Sequence, residues 1–312
     1  MKELKIQYDV LAIRSLAQDQ EERSKNERLR AYYEEAGPDY AAWSPGFNMH
    51  FGYYNWTLNP FNRESMLNNM NQKMLDKLDL GRLQNGTIAD FGCGLGATLR
   101  YAHQQYPQLN YSGITLVPWQ VQQAELLNRN EGVSKNIHII EGDYSQTPYE
   151  DNSVDGIWAI ESSCYADGAN KSNLLREIYR VLRPGGKFVI ADGFRKHQRP
   201  LNKLVTSAYR QLCHSWALDE LGDIGEVSSS LKTIGFKHID VQNISYRVAP
   251  SVAHVPFTVI SFLIKELLFG KKKMSEERWN NLKSPLLTMV VGLAQRDFGY
   301  YLVSGEKPIT NN

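Results

Sequence analysis

From about residue 86 the hydrophobic and polar positions alternate between short β-branched runs and helical patterns with apolar residues three and four apart. Such alternation predicts parallel βαβ units. Five runs read as strands: 87–91 (TIADF), 111–115 (YSGIT), 137–142 (IHIIEG), 154–160 (VDGIWAI) and 187–193 (KFVIADG). Five such runs imply a doubly wound α/β sheet. Between the fourth and fifth, Leu174, Leu175, Ile178, Val181 and Leu182 share one helical face, and Pro184, Gly185 and Gly186 stop that helix. Beyond the fifth strand the rhythm breaks. Residues 235–245 and 300–308 both read as strands, free to pair although about fifty residues separate them. Between them lie the apolar run 255–264, three lysines at 271–273 and a helical pattern over 274–293, so 246–296 reads as an insertion folded over one end of the sheet. The first 80 residues are a second addition, a cap ahead of a main domain over 81–312. Within that cap, residues 32–56 hold nine of the chain's 34 aromatic residues, a density that serves a core and, in a cap over a pocket, supplies its walls.

Composition removes several function classes. The 312 residues, 42% hydrophobic and 22% charged, are enough for one good core with a cap attached. Lys and Arg number 35 against 34 Asp and Glu, so no global field draws a polyanion, and no nucleic-acid partner is expected. Cys93, Cys164 and Cys213 are odd in number and widely spaced, which fits neither a disulfide framework nor a zinc site. No metal is expected, and a reducing cytoplasm fits. The first 25 residues lack the long apolar block of an export signal. The run 255–264 is shorter than the roughly 18 residues of a spanning helix, so no stable membrane insertion is expected.

Chemistry concentrates in IADFGCGLGATLRYA at 88–102, where Gly92, Gly94 and Gly96 follow Asp90 between a strand and a helix. A Cβ at these glycines would forbid the turn or hold a ligand off the main chain. Gly92, Gly94 and Ala97 also meet the spacing of a dinucleotide site. That rival wants an acid about twenty residues on, and none occurs after GITLVPWQ until Glu125. Asp90, ahead of the first glycine, is badly placed for a pyrophosphate and well placed for a cationic amino acid moiety.

On these residues the chain resembles the class I S-adenosylmethionine-dependent methyltransferases, since Asp90 to Gly96 matches their D/E-x-G-x-G-x-G signature. The resemblance implies a Rossmann-like, seven-stranded, mostly parallel sheet with an antiparallel C-terminal edge strand. It also implies S-adenosyl-L-methionine as cofactor and S-adenosyl-L-homocysteine as product, with Asp90, Gly92, Gly94 and Gly96 at the cofactor. GITLVPWQ is similar to the GITLS-x-x-Q form of the sterol, tocopherol and cyclopropane-fatty-acid group, which implies cofactor contacts from Thr115, Leu116 and Gln120. Gln120 both donates and accepts, so it replaces the usual acid at the ribose hydroxyls. EGDYSQ resembles the family's adenine site and assigns Asp143 to the exocyclic amine and Tyr144 to the ring face; a turn or cap role for Asp143 competes with this. The LRPGG at 182–186 is typical of the family and structural.

The acceptor belongs at the carboxyl ends of the strands. There AIESSCYADG offers Glu161 and Tyr165, with Glu161 a base, a stabiliser of positive charge, or a partner of the cofactor or a nearby amide. Cys164 reads as a small buried filler. NMHFGYY at 48–54 resembles the HFGYW stretch of small-molecule methyltransferases, which makes Phe51, Tyr53 and Tyr54 candidate pocket walls and His50 a second candidate base. The basic run 195–203 either holds an anionic group or is a solvated loop, and the lysines at 271–273 raise contact with a membrane surface. The resulting expectation is a cytoplasmic methyltransferase acting on a small, largely apolar metabolite, as in secondary metabolite biosynthesis, its partner a small-molecule acceptor and its oligomeric state open. Isoprenoid C-methylation (of a prenyl diphosphate or sterol-like acceptor) or cyclopropanation is the enzymatic alternative. A cofactor-binding scaffold without turnover is the non-enzymatic one.

Overall fold

The computed structural model describes residues 25–269 and 274–309. The five β-branched runs become β1 (Thr87–Phe91), β2 (Asn110–Thr115), β3 (Ile137–Glu141), β4 (Val154–Ile160) and β5 (Leu182–Arg195). The two later runs become β6 (Lys237–Asn243) and β7 (Phe298–Glu306). All seven form one sheet in the order β3-β2-β1-β4-β5-β7-β6. Strands β1 to β5 pair in parallel, while β7 runs antiparallel to both β5 and β6. The antiparallel β6–β7 pair therefore closes one edge of the sheet, as expected, with β7 one place in. Its residues 301–305 are buried, whereas β6 is exposed or half-buried throughout, and that polar strand takes the edge.

Helices cover both faces. On one, α5 (Ser172–Val181) buries Leu174, Leu175, Ile178 and Val181 completely and packs beside α7 (Ile224–Ile234). The helix stops at Val181, and Leu182 already belongs to β5. Residues 183–186 fall in a register shift between β4 and β5, consistent with a structural role for LRPGG. On the other face lie α2 (Arg63–Leu78), through Met70, Met74, Leu75 and Leu78, and α3 (Ala97–Gln105), through Leu99 and Ala102. Asn62 caps α2, its side chain accepting from the Ser65 N–H. The helix α4 (Pro118–Asn130) starts on proline, whose missing N–H costs nothing there.

The additions sit at the carboxyl end of the sheet. A helix over 25–36 (α1) leads into a 3₁₀ turn, Gly37–Ala42. After β5 comes α6 (Lys203–Ser215), and between β6 and β7 come α8 (Ser245–Val252), α9 (Val255–Phe269) and α10 (Glu276–Leu293). Leu212 and Cys213 of α6 pack with Val291 of α10, while Val255, Val259 and Phe262 of α9 pack with Leu282. Only a turn at 253–254 separates α8 from α9. Ser245–Glu266 is consequently one helical stretch long and apolar enough, by length and composition, to cross a membrane, more than the run 255–264 led us to expect.

Candidate active site

The sheet order reverses between β1 and β4, and parallel α/β sheets open a crevice at such a point. At the end of β1 the chain turns through Gly92 (φ 85°), Gly94 (φ 52°) and Gly96 (φ 72°), all left-handed conformations that favour glycine. The three glycines differ in what surrounds them. A Cβ on Gly92 would meet Ser162 Cβ at 2.3 Å, so packing as well as conformation forbids a side chain there. At Gly94 it would meet only the Met49 sulfur, at 3.2 Å, and this glycine lines the crevice. Gly96 does not line it. It caps α3 with Arg100 close by, so its expected cofactor role becomes a structural one.

Asp90, Thr115, Leu116, Gln120, Asp143 and Tyr144 converge on the same crevice from the ends of three strands. Asp90 is buried, and desolvation pushes its carboxyl up to about 7, with the neighbouring Trp158 indole N–H drawing it part of the way back. Its carboxylate makes no hydrogen bond of good geometry in the described protein, an arrangement suited to a cationic partner. Thr115 donates from Oγ1 to Gln120 Oε1 at 2.6 Å, which orients the Gln120 amide and leaves its nitrogen without a partner among the described residues. Asp143 accepts from the Ser145 N–H at 2.6 Å through Oδ1, so the turn role is real, while its second oxygen stays available. Tyr144 donates to Ser162 O at 2.7 Å and stacks on Phe91, which fixes its ring in the crevice wall. A helical strap closes the site: α1 places Lys25 on Asp219 (2.8 Å) and Asp167 (2.5 Å), and Arg30 on Leu116 O (2.9 Å).

A second cavity of about 380 Å³, mostly apolar, adjoins the first. Met49, His50, Glu161, Tyr33 and Tyr165 line both. Glu161 sits at this junction with φ 48°, a conformation costly for a residue with a Cβ and typical of functional positions. Its Oε1 accepts from the Phe51 N–H at 2.6 Å and from the Tyr300 hydroxyl at 2.8 Å. Its Oε2 has no partner among the described residues. Desolvation lifts the carboxyl to about 8; the two donors pull it down and Asp192 pushes it up. The amide partner expected as an alternative role is thus present, and one oxygen still remains for chemistry.

His50 is differently placed. Nδ1 lies 2.9 Å from Phe51 O and Nε2 3.0 Å from Asn71 Oδ1, and burial lowers its pKa. Both neighbours are acceptors, so the neutral ring that burial favours donates its single N–H to one of them, a setting that suits a brace for the segment presenting Phe51 to Glu161 better than the expected base. Tyr165 bonds Tyr33 through their hydroxyls at 3.0 Å and walls the junction. Of the three aromatic pocket candidates only Phe51 lines the cavity. Tyr53 turns away beneath Lys73, and Tyr54 packs on Trp56, because Gly52 is pressed against Met66 and fixes the course of this irregular segment.

The walls that the sequence did not name include Tyr40, Trp43, Tyr300 and Gly193. The first two belong to the aromatic run 32–56, which was signal enough. Tyr300 and Gly193 become opposite partners only when β7 pairs with β5. In the basic run 195–203 Arg195 bonds Gln198 and the Arg199 carbonyl, while Lys196 reaches the Gln295 carbonyl; the run lines neither cavity.

A family model described as a methyltransferase domain matches residues 89–190, the stretch from β1 into β5 that carries this crevice. Those residues are a methyltransferase domain. Strand order, glycine turn and crevice match what the resemblance to the class I, S-adenosylmethionine-dependent type implied. Among relatives of the domain, 24-methylenesterol C-methyltransferase 2 of Arabidopsis thaliana is 37% identical over 36% of this chain and 30% of its own length. Sterol 24-C-methyltransferase of Pneumocystis carinii is 27% identical over 55% of this chain and 45% of its own. The chain thus spans less than half the length of these curated relatives. Among solved structures, geranyl diphosphate C-methyltransferase of Streptomyces coelicolor superposes with a TM-score of 0.65 at 15% identity, covering 91% of this chain and 97% of that one, which shows a shared fold.

Proposed function

We propose that this protein is an S-adenosylmethionine-dependent methyltransferase acting on a small, largely apolar metabolite held in the 380 Å³ cavity. The observation that carries the reading is the shared wall: Glu161 and Tyr165 belong both to the cofactor crevice and to the apolar cavity, where a methyl group would pass. The bound cofactor supplies an electrophilic methyl group on a sulfonium. Asp90 holds its amino group, Gln120 and Thr115 its ribose hydroxyls, and Asp143 with Tyr144 its adenine. The strap α1 and the aromatic cap exclude water and align the acceptor, the main source of acceleration in an in-line displacement. The acceptor would supply the attacking electron pair, and the cofactor's neutral thioether would be the leaving group. The free Oε2 of Glu161 takes the proton that the acceptor loses, or offsets the positive charge of an alkene acceptor before that loss.

The apolar walls, and the likeness of the domain to sterol C-methyltransferases, favour a carbon or phenolic acceptor of isoprenoid character. We place the protein in the cytoplasm, with which its three free cysteines accord, and its reaction in secondary metabolism. The domain organisation we adopt is a cap over 1–80 and a catalytic domain over 81–312, the insertion 246–296 completing the acceptor cavity. Methyl-labelled cofactor incubated with terpenoids, phenols and amines tests the activity: label is expected in an apolar acceptor. Tight binding of S-adenosylhomocysteine without transfer to any of them favours the scaffold instead.

Gly193 gives a sharper check of the cavity assignment. A Cβ there meets nothing within 4 Å, and the residue lines the apolar cavity opposite Tyr300. Gly193→Leu is expected to raise KM for the acceptor about ten-fold or more by filling acceptor volume, and to leave S-adenosylhomocysteine affinity unchanged in calorimetry. Equal loss of both would place the acceptor elsewhere.

A further inference from the structure

Of the two basic runs in the sequence, residues 195–203 line neither cavity, and Lys271, Lys272 and Lys273 lie outside the described residues. The cation that does line the acceptor cavity is Arg63, the first residue of α2. Two carboxylates line it as well. Glu161 and Asp192 stand at the end of β4 and within β5, and each already accepts hydrogen bonds from the protein. Arg63 belongs to a different wall, its guanidinium 5.8 Å from the ring centroid of Trp43 in the cap and bonded to Thr258 on α9.

The guanidinium of Arg63 is poorly satisfied for a half-buried charge. Among the described residues it makes one hydrogen bond, from Nη1 to Thr258 Oγ1 at 3.0 Å, and no ion pair. A guanidinium carries five N–H donors. Burial lowers the pKa of Arg63, and the charge of the adjacent Glu64 draws it partly back. The Glu64 carboxylate is itself engaged, accepting through Oε1 from Ser44 and Asn48. Arginine keeps its proton in such a setting. An acceptor that fills the cavity displaces the water that would otherwise solvate this charge. A wholly neutral acceptor would strand the cation among apolar walls, at a cost that an anion on the acceptor removes. The planar fork of one guanidinium matches the two oxygens and the single charge of one carboxylate, and no other Lys or Arg lines the cavity among the described residues to balance a more highly charged group.

From this unpaired cation in the wall of an otherwise apolar cavity we infer that the acceptor is an apolar molecule ending in a carboxylate, which Arg63 holds. The inference rests on the acceptor role proposed for the cavity and names the class of molecule that fills it. It is measured by binding, apart from turnover. Full-length protein saturated with S-adenosylhomocysteine is titrated in a calorimeter with geranic acid, with geraniol as the neutral molecule of the same chain, and with geranyl phosphate. Wild type is expected to bind geranic acid about ten-fold tighter than geraniol at neutral pH, the scale of a charge-assisted pair. In Arg63→Met the acid and the alcohol bind alike, while Arg63→Lys recovers part of the preference. Loss of the Thr258 hydrogen bond alone would weaken acid and alcohol together, so a selective loss separates recognition from bracing. Arg63 does not line the cofactor crevice, and S-adenosylhomocysteine affinity is expected to stay unchanged in both variants. Equal wild-type affinity for acid and alcohol, no binding of the acid, or a preference that Arg63→Met retains overturns the inference. Arg63-dependent binding of geranyl phosphate tighter than that of geranic acid overturns the carboxylate and assigns a phosphate instead. An acid preference in a protein that transfers no methyl group would support the assignment of Arg63 and count against the methyltransferase reading alone.

Discussion

Gly94→Val is expected to weaken S-adenosylhomocysteine binding at least about 100-fold, equivalent to roughly 2.7 kcal/mol, in a protein that still folds. The expectation comes from the contrast among the three turn glycines. At Gly92 a side chain collides with Ser162 Cβ at 2.3 Å, so a change there tests folding as much as binding. At Gly94 the only neighbour is the end of the flexible Met49 side chain, and the φ of 52° costs a β-branched residue on the order of 1–2 kcal/mol. The valine methyl groups then stand in the crevice where the cofactor's main-chain contact is proposed. Calorimetry with S-adenosylhomocysteine, alongside a thermal melt and an NADH control, measures all three quantities. Retained affinity for S-adenosylhomocysteine would sink the placement of the cofactor on this turn, and preference for NADH would end the methyltransferase reading.

The second large effect belongs to Glu161. Gln preserves the acceptor oxygen for the Phe51 N–H and the Tyr300 hydroxyl but replaces the free Oε2 with a group that takes no proton. Glu161→Gln is expected to lower kcat by about 10² to 10⁴, the range for loss of a positioned base, with cofactor affinity unaltered. Its pH dependence follows from the sign of the shift. The carboxyl, lifted to about 8 by burial, is ionised only above that value, so wild-type kcat/KM rises through about 8 and then levels, while the variant is flat. Stability runs the other way. Between the ordinary Glu range and about 8 the native state holds a proton that the unfolded chain has released, so wild-type stability declines as pH rises through that window and the Gln variant is spared. A variant with undiminished kcat would reduce Glu161 to the brace that its two hydrogen bonds also describe.

His50 and Glu161 show how far the residues could be read before the fold was known. Both were candidates because both are titratable and lie in motif-like stretches. The roles we propose for them, brace and base, rest on Asn71 on α2 and Tyr300 on β7, which lie 21 and 139 positions away in the chain. The same applies to the aromatic walls. The density of rings over 32–56 marked the segment as a wall, but pressing Gly52 onto Met66 is what turned Phe51 inward and left Tyr53 and Tyr54 outside.

By itself the sequence determined the strands β1 to β5, the glycine turn and the set of residues that share the first crevice, because each depends on local periodicity, on left-handed φ values that glycine adopts freely, or on residues at the ends of neighbouring strands. Tertiary structure alone decided the rest. It set β7 inside β6, made Gly96 a helix cap, joined α8 to α9 into a long apolar stretch, and brought Tyr300 onto Glu161. Those outcomes turn on contacts between segments far apart in the chain, where burial and pairing, rather than local preference, select the arrangement.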